Sequence, residues 1–131
     1  MDNVIVFDGV CKLCNRCVRF VIERDPDARF RFAALQSAGG VRLLRQHGFD
    51  PRNVHTFVLL KGGRIYVRSA AALEIARQLR GPARLLALLR IVPRRLRDRL
   101  YDVVARNRYR WFGKLDACVA PAPEVKARFL D

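Results

Sequence analysis

The chain reads as an α/β domain built in the order β-α-β-α-β-β-α, with a helical C-terminal extension. Three observations carry that prediction. An apolar, β-branched run at residues 3–7 feeds directly into a helical pattern that starts at Cys11. An alternating strand pattern at 29–33 follows that helix, and a second helix follows the strand. A strand pair turning at Gly62-Gly63 and a further helix then close the unit.

Each element has a local reason. Asn3 to Phe7 is a buried strand, ended by Asp8-Gly9. From Cys11 to about Arg24 the apolar spacing is helical. Cys14, Cys17, Val18 and Val21 share one face, while Lys12, Arg16, Arg19 and Glu23 lie mostly elsewhere. Asp25-Pro26-Asp27 breaks this helix. Arg29 to Ala33 alternates as a second strand. A short helix covers Gly40 to His47, with Gly48 at its end. Val54 to Leu60 is the third strand and Arg64 to Val67 its antiparallel partner. Ser69 is placed to cap a helix over 70–79, which Gly81-Pro82 stops. Two more helical segments, about 83–92 and 94–108, join at Pro93, which suits a first helical turn. From Tyr109 onward no clear period remains. The expectation is a single domain over 1–131, with a core at about 3–80 and an extension and tail at about 82–131. This is the element order of the thioredoxin-like fold.

The composition narrows the function classes. The chain has 131 residues, of which 51% are hydrophobic, enough for a real core. Its apolar runs are too short to span a bilayer. The acidic start, Met1-Asp2-Asn3, lacks the basic opening and the longer apolar stretch of a secretory signal, so a cytoplasmic location is expected. Cysteines there usually stay reduced, and a Cys-x-x-Cys is then catalytic or metal-binding more often than a staple. The net charge is +14, nearly all of it arginine. Such a surface attracts nucleic acid, anionic lipid or acidic partners. No nucleic-acid motif accompanies the charge, so a solvated basic face is the simplest reading. In 83–110 the leucines and valines are expected to pack on the core and the arginines to face outward. That face would steer an acidic partner or substrate, and any nucleic-acid contact would be non-specific.

The chemistry concentrates at the first strand–helix junction. Cys11 stands at the start of a helix, where free N–H groups and the helix dipole favour a thiolate, and such thiols fall to a pKa of ~3.5–7.5. Cys14, one turn further in, is close enough to resolve a mixed disulfide. Cys11 is therefore the candidate attacking thiol, exposed and alkylated first, with Lys12 and Arg16 adding positive potential. Cys17 reads as core filler beside Val18 and Val21. Asp8 reads first as a turn or capping residue; the alternative is a proton carrier for the thiols. A phosphatase of the haloacid-dehalogenase type would need its nucleophile at position 6, which is Val6, and is excluded. A metal site is the competing reading: Cys11, Cys14 and Cys17, completed by Cys118 or His55. Three cysteines running up one helix fit structural zinc poorly, so neither metal nor cofactor is expected.

Beyond these residues, "DGVCKLCN" together with "YDVVARNRYRWFGKLDAC" resembles the signature of the DCC family, over about residues 3–120. That resemblance implies a thioredoxin-like thiol-disulfide oxidoreductase, with a thiol or disulfide substrate and a separate reductant. It carries Asp8, Cys11 and Cys14 over as the family's named residues. Asn15, Arg108, Tyr109, Arg110, Gly113 and Asp116 match its pattern without an assigned role. Thioredoxins place a cis-proline before the third core strand; here His55 or Thr56 falls at that place. His55 would then be either a surface residue or an imidazole near the thiols, as base or ligand.

Overall fold

The computed structural model describes residues 3–50, 57–114 and 128–130. A five-stranded mixed sheet has the order β4-β3-β1-β2-β5. Its strands are β1 (Asn3–Phe7), β2 (Phe30–Ala34), β3 (Phe57–Lys61), β4 (Arg64–Val67) and β5 (Phe129–Leu130). β1 and β2 are parallel, with Ile5 opposite Phe32. β3 runs antiparallel to β1, with Ile5 opposite Leu59, and pairs with β4 across the Gly62-Gly63 turn. The α/β thioredoxin-like arrangement expected from the sequence is what forms. The third strand is described from Phe57; residues 54–56 of the expected strand lie outside the described residues.

Strand side chains alternate between faces, and this divides the core in two. Ile5, Phe7, Phe30, Phe32 and Leu59 pack with Val18 and Val21 of α1 (Lys12–Glu23) and with Ile75 of α3 (Arg68–Arg77). Val6, Ala33, Val58 and Leu60 pack with Leu44 of α2 (Ala38–Gln46) on the other side. Ser37 caps α2 by accepting the Gly40 N–H at 3.0 Å. Gly40 is required there, because a Cβ would sit 2.2 Å from the Ala34 carbonyl oxygen.

Four expectations are corrected. Ser69 does not cap α3, which starts at Arg68 with no side-chain cap. Its side chain is buried instead, and it donates its N–H (3.3 Å) and its hydroxyl to Asp98 of α4 (Arg94–Arg106). Pro93 is the residue before α4 rather than in its first turn. Residues 81–91 form a 3₁₀ helix, not an α-helix. At three residues per turn, Leu85, Leu88 and Ile91 stack in one column and Leu86 and Leu89 in another; all five are exposed, and Leu86 also edges the cleft between α1 and α3. The apolar stripe of α4, Leu96, Leu100 and Val104, is exposed as well. The side of α4 turned toward the protein carries the buried Ala105 together with Asp98, which Ser69 holds. The leucines expected in the core are therefore on the surface.

The tail has structure that its sequence pattern did not announce. Helix α5 (Arg108–Phe112) folds back against α1. Further on, β5 adds itself parallel to β2, with Phe129 opposite Phe32. Arg128 pairs with Asp25 and donates through Nε to the Phe30 carbonyl at 3.2 Å. Buried Asp25 also accepts the backbone N–H groups of Arg29 (3.0 Å) and Phe30 (2.9 Å), so it organises the entry to β2 as well as ending α1.

Candidate active site

The site begins where β1 ends. Asp8 turns the chain: its Oδ1 accepts the Val10 N–H at 3.2 Å, and its carbonyl accepts the Cys11 N–H at 3.2 Å. Gln36, just after β2, donates to Asp8 Oδ1 at 2.8 Å and accepts the Gly9 N–H at 2.8 Å. Arg108 reaches Oδ2 at 3.3 Å, and the Tyr109 hydroxyl donates to the same oxygen. Burial alone would push the Asp8 carboxyl up. The hydrogen bonds from Tyr109, Gln36 and Val10 and the charge of Arg108 outweigh it and hold the group below the usual carboxylate value. Burial and the bond to Asp8 push the Tyr109 phenol up to about 12.

Cys11 is the N-cap of α1, and its Sγ accepts the Cys14 N–H at 3.4 Å. Asn15 ties the turn from within, donating to the carbonyls of Gly9 (2.8 Å) and Cys11 (2.9 Å). The C-terminal segment closes against this turn. Lys12 donates its N–H to the Gly113 carbonyl at 3.2 Å, and Cys11 forms an antiparallel bridge with Lys114. Gly113 has φ +102°, a backbone conformation that favours glycine, while the Lys12 side chain that a Cβ would meet at 3.0 Å is flexible and can move aside. Arg108, Tyr109, Gly113 and Asn15, which the sequence left without roles, thus form a clasp on the Asp8-to-Asn15 turn. Gln36 was missed altogether. Its only signal is that a buried carboxylate needs donors, which does not say where they come from.

The thiols differ in their surroundings. Cys11 is 0% exposed and Cys14 is buried; Cys17 is the exposed one of the three. Two expectations change here: Cys11 is not the exposed thiol, because the 113–114 segment runs beside it, and Cys17 is not core filler. Burial, and after it the neighbouring Cys11 sulfur, push the Cys14 thiol well up, so it stays protonated at neutral pH. Cys14 and Cys17 both line an apolar cleft of about 190 Å³ between α1 and α3, with Phe20, Ile75, Leu79 and Leu86 among its walls.

Arg16 is exposed on α1. His55, Thr56, Cys118 and Asp116 lie outside the described residues. Among the described residues, no group of three or more His, Cys, Asp or Glu side chains could hold a metal ion. No helix among them is long and apolar enough to cross a membrane.

Comparison with known proteins bears directly on this site. The chain is 46% identical over 129 residues to the protein YuxK of Bacillus subtilis (strain 168), covering 98% of this chain and 94% of that one. It is 42% identical over 116 residues to a chloroplastic DCC family protein of Arabidopsis thaliana, covering 88% of this chain and 67% of the relative. No solved structure matches. The model of the DCC1-like thiol-disulfide oxidoreductases matches residues 5–114, a span that takes in both the Asp8-to-Asn15 turn and the helix clasped over it. The chain belongs to the DCC1-like thiol-disulfide oxidoreductase family.

Proposed function

We propose that the chain catalyses thiol–disulfide exchange with Cys11 as attacking and Cys14 as resolving thiol. The observation that carries this is the pairing itself: Cys11 Sγ faces the Cys14 N–H at the positive end of α1, with the protonated Cys14 beside it. The Cys11 thiolate attacks one sulfur of a substrate disulfide, forming a mixed disulfide and releasing the first substrate thiolate. That step removes the negative charge at Cys11, one of the influences holding the Cys14 proton in place. Cys14 then gives up its proton, which the released substrate thiolate takes, and attacks Cys11 Sγ. The second substrate thiolate leaves and the Cys11–Cys14 disulfide remains. The substrate gains two electrons and the dithiol loses two; an external thiol reductant restores the dithiol. Asp8 is a positioning residue in this scheme, since its depressed carboxyl is a poor proton store. A reducing compartment such as the cytoplasm suits a disulfide that cycles rather than persists.

The test is equilibration in glutathione buffers of stepped redox ratio, with disulfides mapped by mass. A Cys11–Cys14 bond should form, and Cys11→Ser or Cys14→Ser should lower disulfide reductase turnover at least a hundredfold, while Cys17→Ser keeps it. Turnover that needs Cys17, or a dithiol that never oxidises, would overturn the proposal.

A further inference from the structure

The 3₁₀ helix and α4 present apolar side chains that the described fold does not cover. Leu85, Leu88, Leu89 and Ile91 are 63%, 58%, 52% and 84% exposed, and Leu96 and Leu100 of α4 are 49% and 59% exposed. Scattered exposed leucines are ordinary, but monomeric soluble proteins rarely leave a large apolar patch in water, and one rimmed by polar residues marks an interaction site. Here the rim is positive. At about 100° per residue, Leu96, Leu100 and Val104 form one stripe of α4, and Arg95, Arg99 and Arg106 run along its flank. The acidic residues of α4, which share a surface depression with Arg95, Arg99 and Arg106, offset that flank only in part. Asp98 is taken by Ser69, Arg68 and Arg94, and Asp102 by Arg68. Arg84, Arg90, Arg95, Arg99 and Arg106 have no carboxylate partner among the described residues.

We infer that α4, by its apolar stripe and arginine flank and together with the exposed leucines of the 3₁₀ helix that precedes it, docks on an anionic lipid surface. An interfacial helix lays its apolar side chains at the boundary of headgroups and acyl chains, while arginine stems reach the lipid phosphates. Both halves of this face are then satisfied at once. A second copy of the chain would cover the leucines but press one arginine flank against another, on molecules that each carry +14. A nucleic acid would match the arginines but leave the leucines in water, and the exposed stripe carries no aromatic on which bases could stack. The inference is independent of the thiol chemistry.

The experiment is co-sedimentation of the full chain with vesicles of phosphatidylcholine, alone or mixed with phosphatidylglycerol. Binding should occur on the mixed vesicles, at least tenfold tighter than on phosphatidylcholine alone, and weaken as salt rises. Arg95→Gln and Arg99→Gln should each lower partitioning about fivefold. The double variant Leu88→Ser/Leu96→Ser should lower it tenfold or more while leaving the circular dichroism spectrum and urea midpoint unchanged, because both side chains face solvent. Leu100→Ser serves as an independent second variant on the same stripe. Failure to bind the anionic vesicles would overturn the inference. So would binding indifferent to the leucine variants, a stable dimer that shields the leucines, or tighter binding to single-stranded RNA than to vesicles at equal salt.

Discussion

Asp8 is nearly without solvent, so its charge is supported entirely by what points at it: the Val10 N–H, Gln36, Arg108 and Tyr109. Removing a charge from such a set leaves Arg108 half-buried with less to pair. Asp8→Asn should therefore cost about 3 kcal/mol at neutral pH, read from urea unfolding. Its pH dependence has a fixed sign. The folded carboxyl lies below its ordinary value of 3.8, so its contribution is fully present above that value and is lost as pH falls through the lower, folded one. The stability gap between the wild type and Asp8→Asn should close on acidification below about 4 and stay constant from there to neutrality. A gap that grew on acidification would contradict the arrangement. The sequence showed Asp8, Cys11 and Cys14 at a strand–helix junction because each is local to it. It could not show Gln36 or Tyr109 as partners, since those contacts span 28 and 101 residues.

Helix α1 was legible because cysteines and valines at three- and four-residue spacing leave one reading, and the Gly62-Gly63 hairpin was legible from its turn. The segment 81–91 was not. Its leucine doublets, 85-86 and 88-89, fit the edge of an amphipathic α-helix and the columns of a 3₁₀ helix equally well, and the two differ in which way those leucines face. Nor did Ser69 declare itself: as the first small polar residue before an apolar run it looks like a cap, yet it serves as the peg between α3 and α4. Burial would push the Asp98 carboxyl up, but the Ser69 bonds and the charges of Arg68 and Arg94 hold it below its ordinary value. Ser69→Ala removes the hydroxyl donor and should cost about 1–2 kcal/mol. The loss should be local: amide exchange should quicken over 94–106 and not in β1 or β3. A uniform acceleration across the sheet would mean that α4 is not held by this peg.

The whole molecule carries a net +14; the buried pairs Arg108–Asp8 and Arg128–Asp25 are neutral within that sum, and most other arginines face water. Self-repulsion of that size destabilises the compact state and is screened over about 8–10 Å at moderate salt. In the absence of lipid, raising ionic strength from very low to physiological should therefore raise Tm by about 3 °C, read by calorimetry. A falling Tm would show that the surface ion pairs outweigh the repulsion. The clasp has a consequence for how the molecule is made. Asp8 and Arg108 are 100 residues apart, and β1 to β4 all precede residue 68. A chain emerging in order from its N-terminus has synthesised both cysteines and four strands before the residues that enclose them exist, and so long a contact closes late. Manufacture sets the two cysteines down first and seals them last, leaving the nascent thiols open to whatever stands near the ribosome's exit.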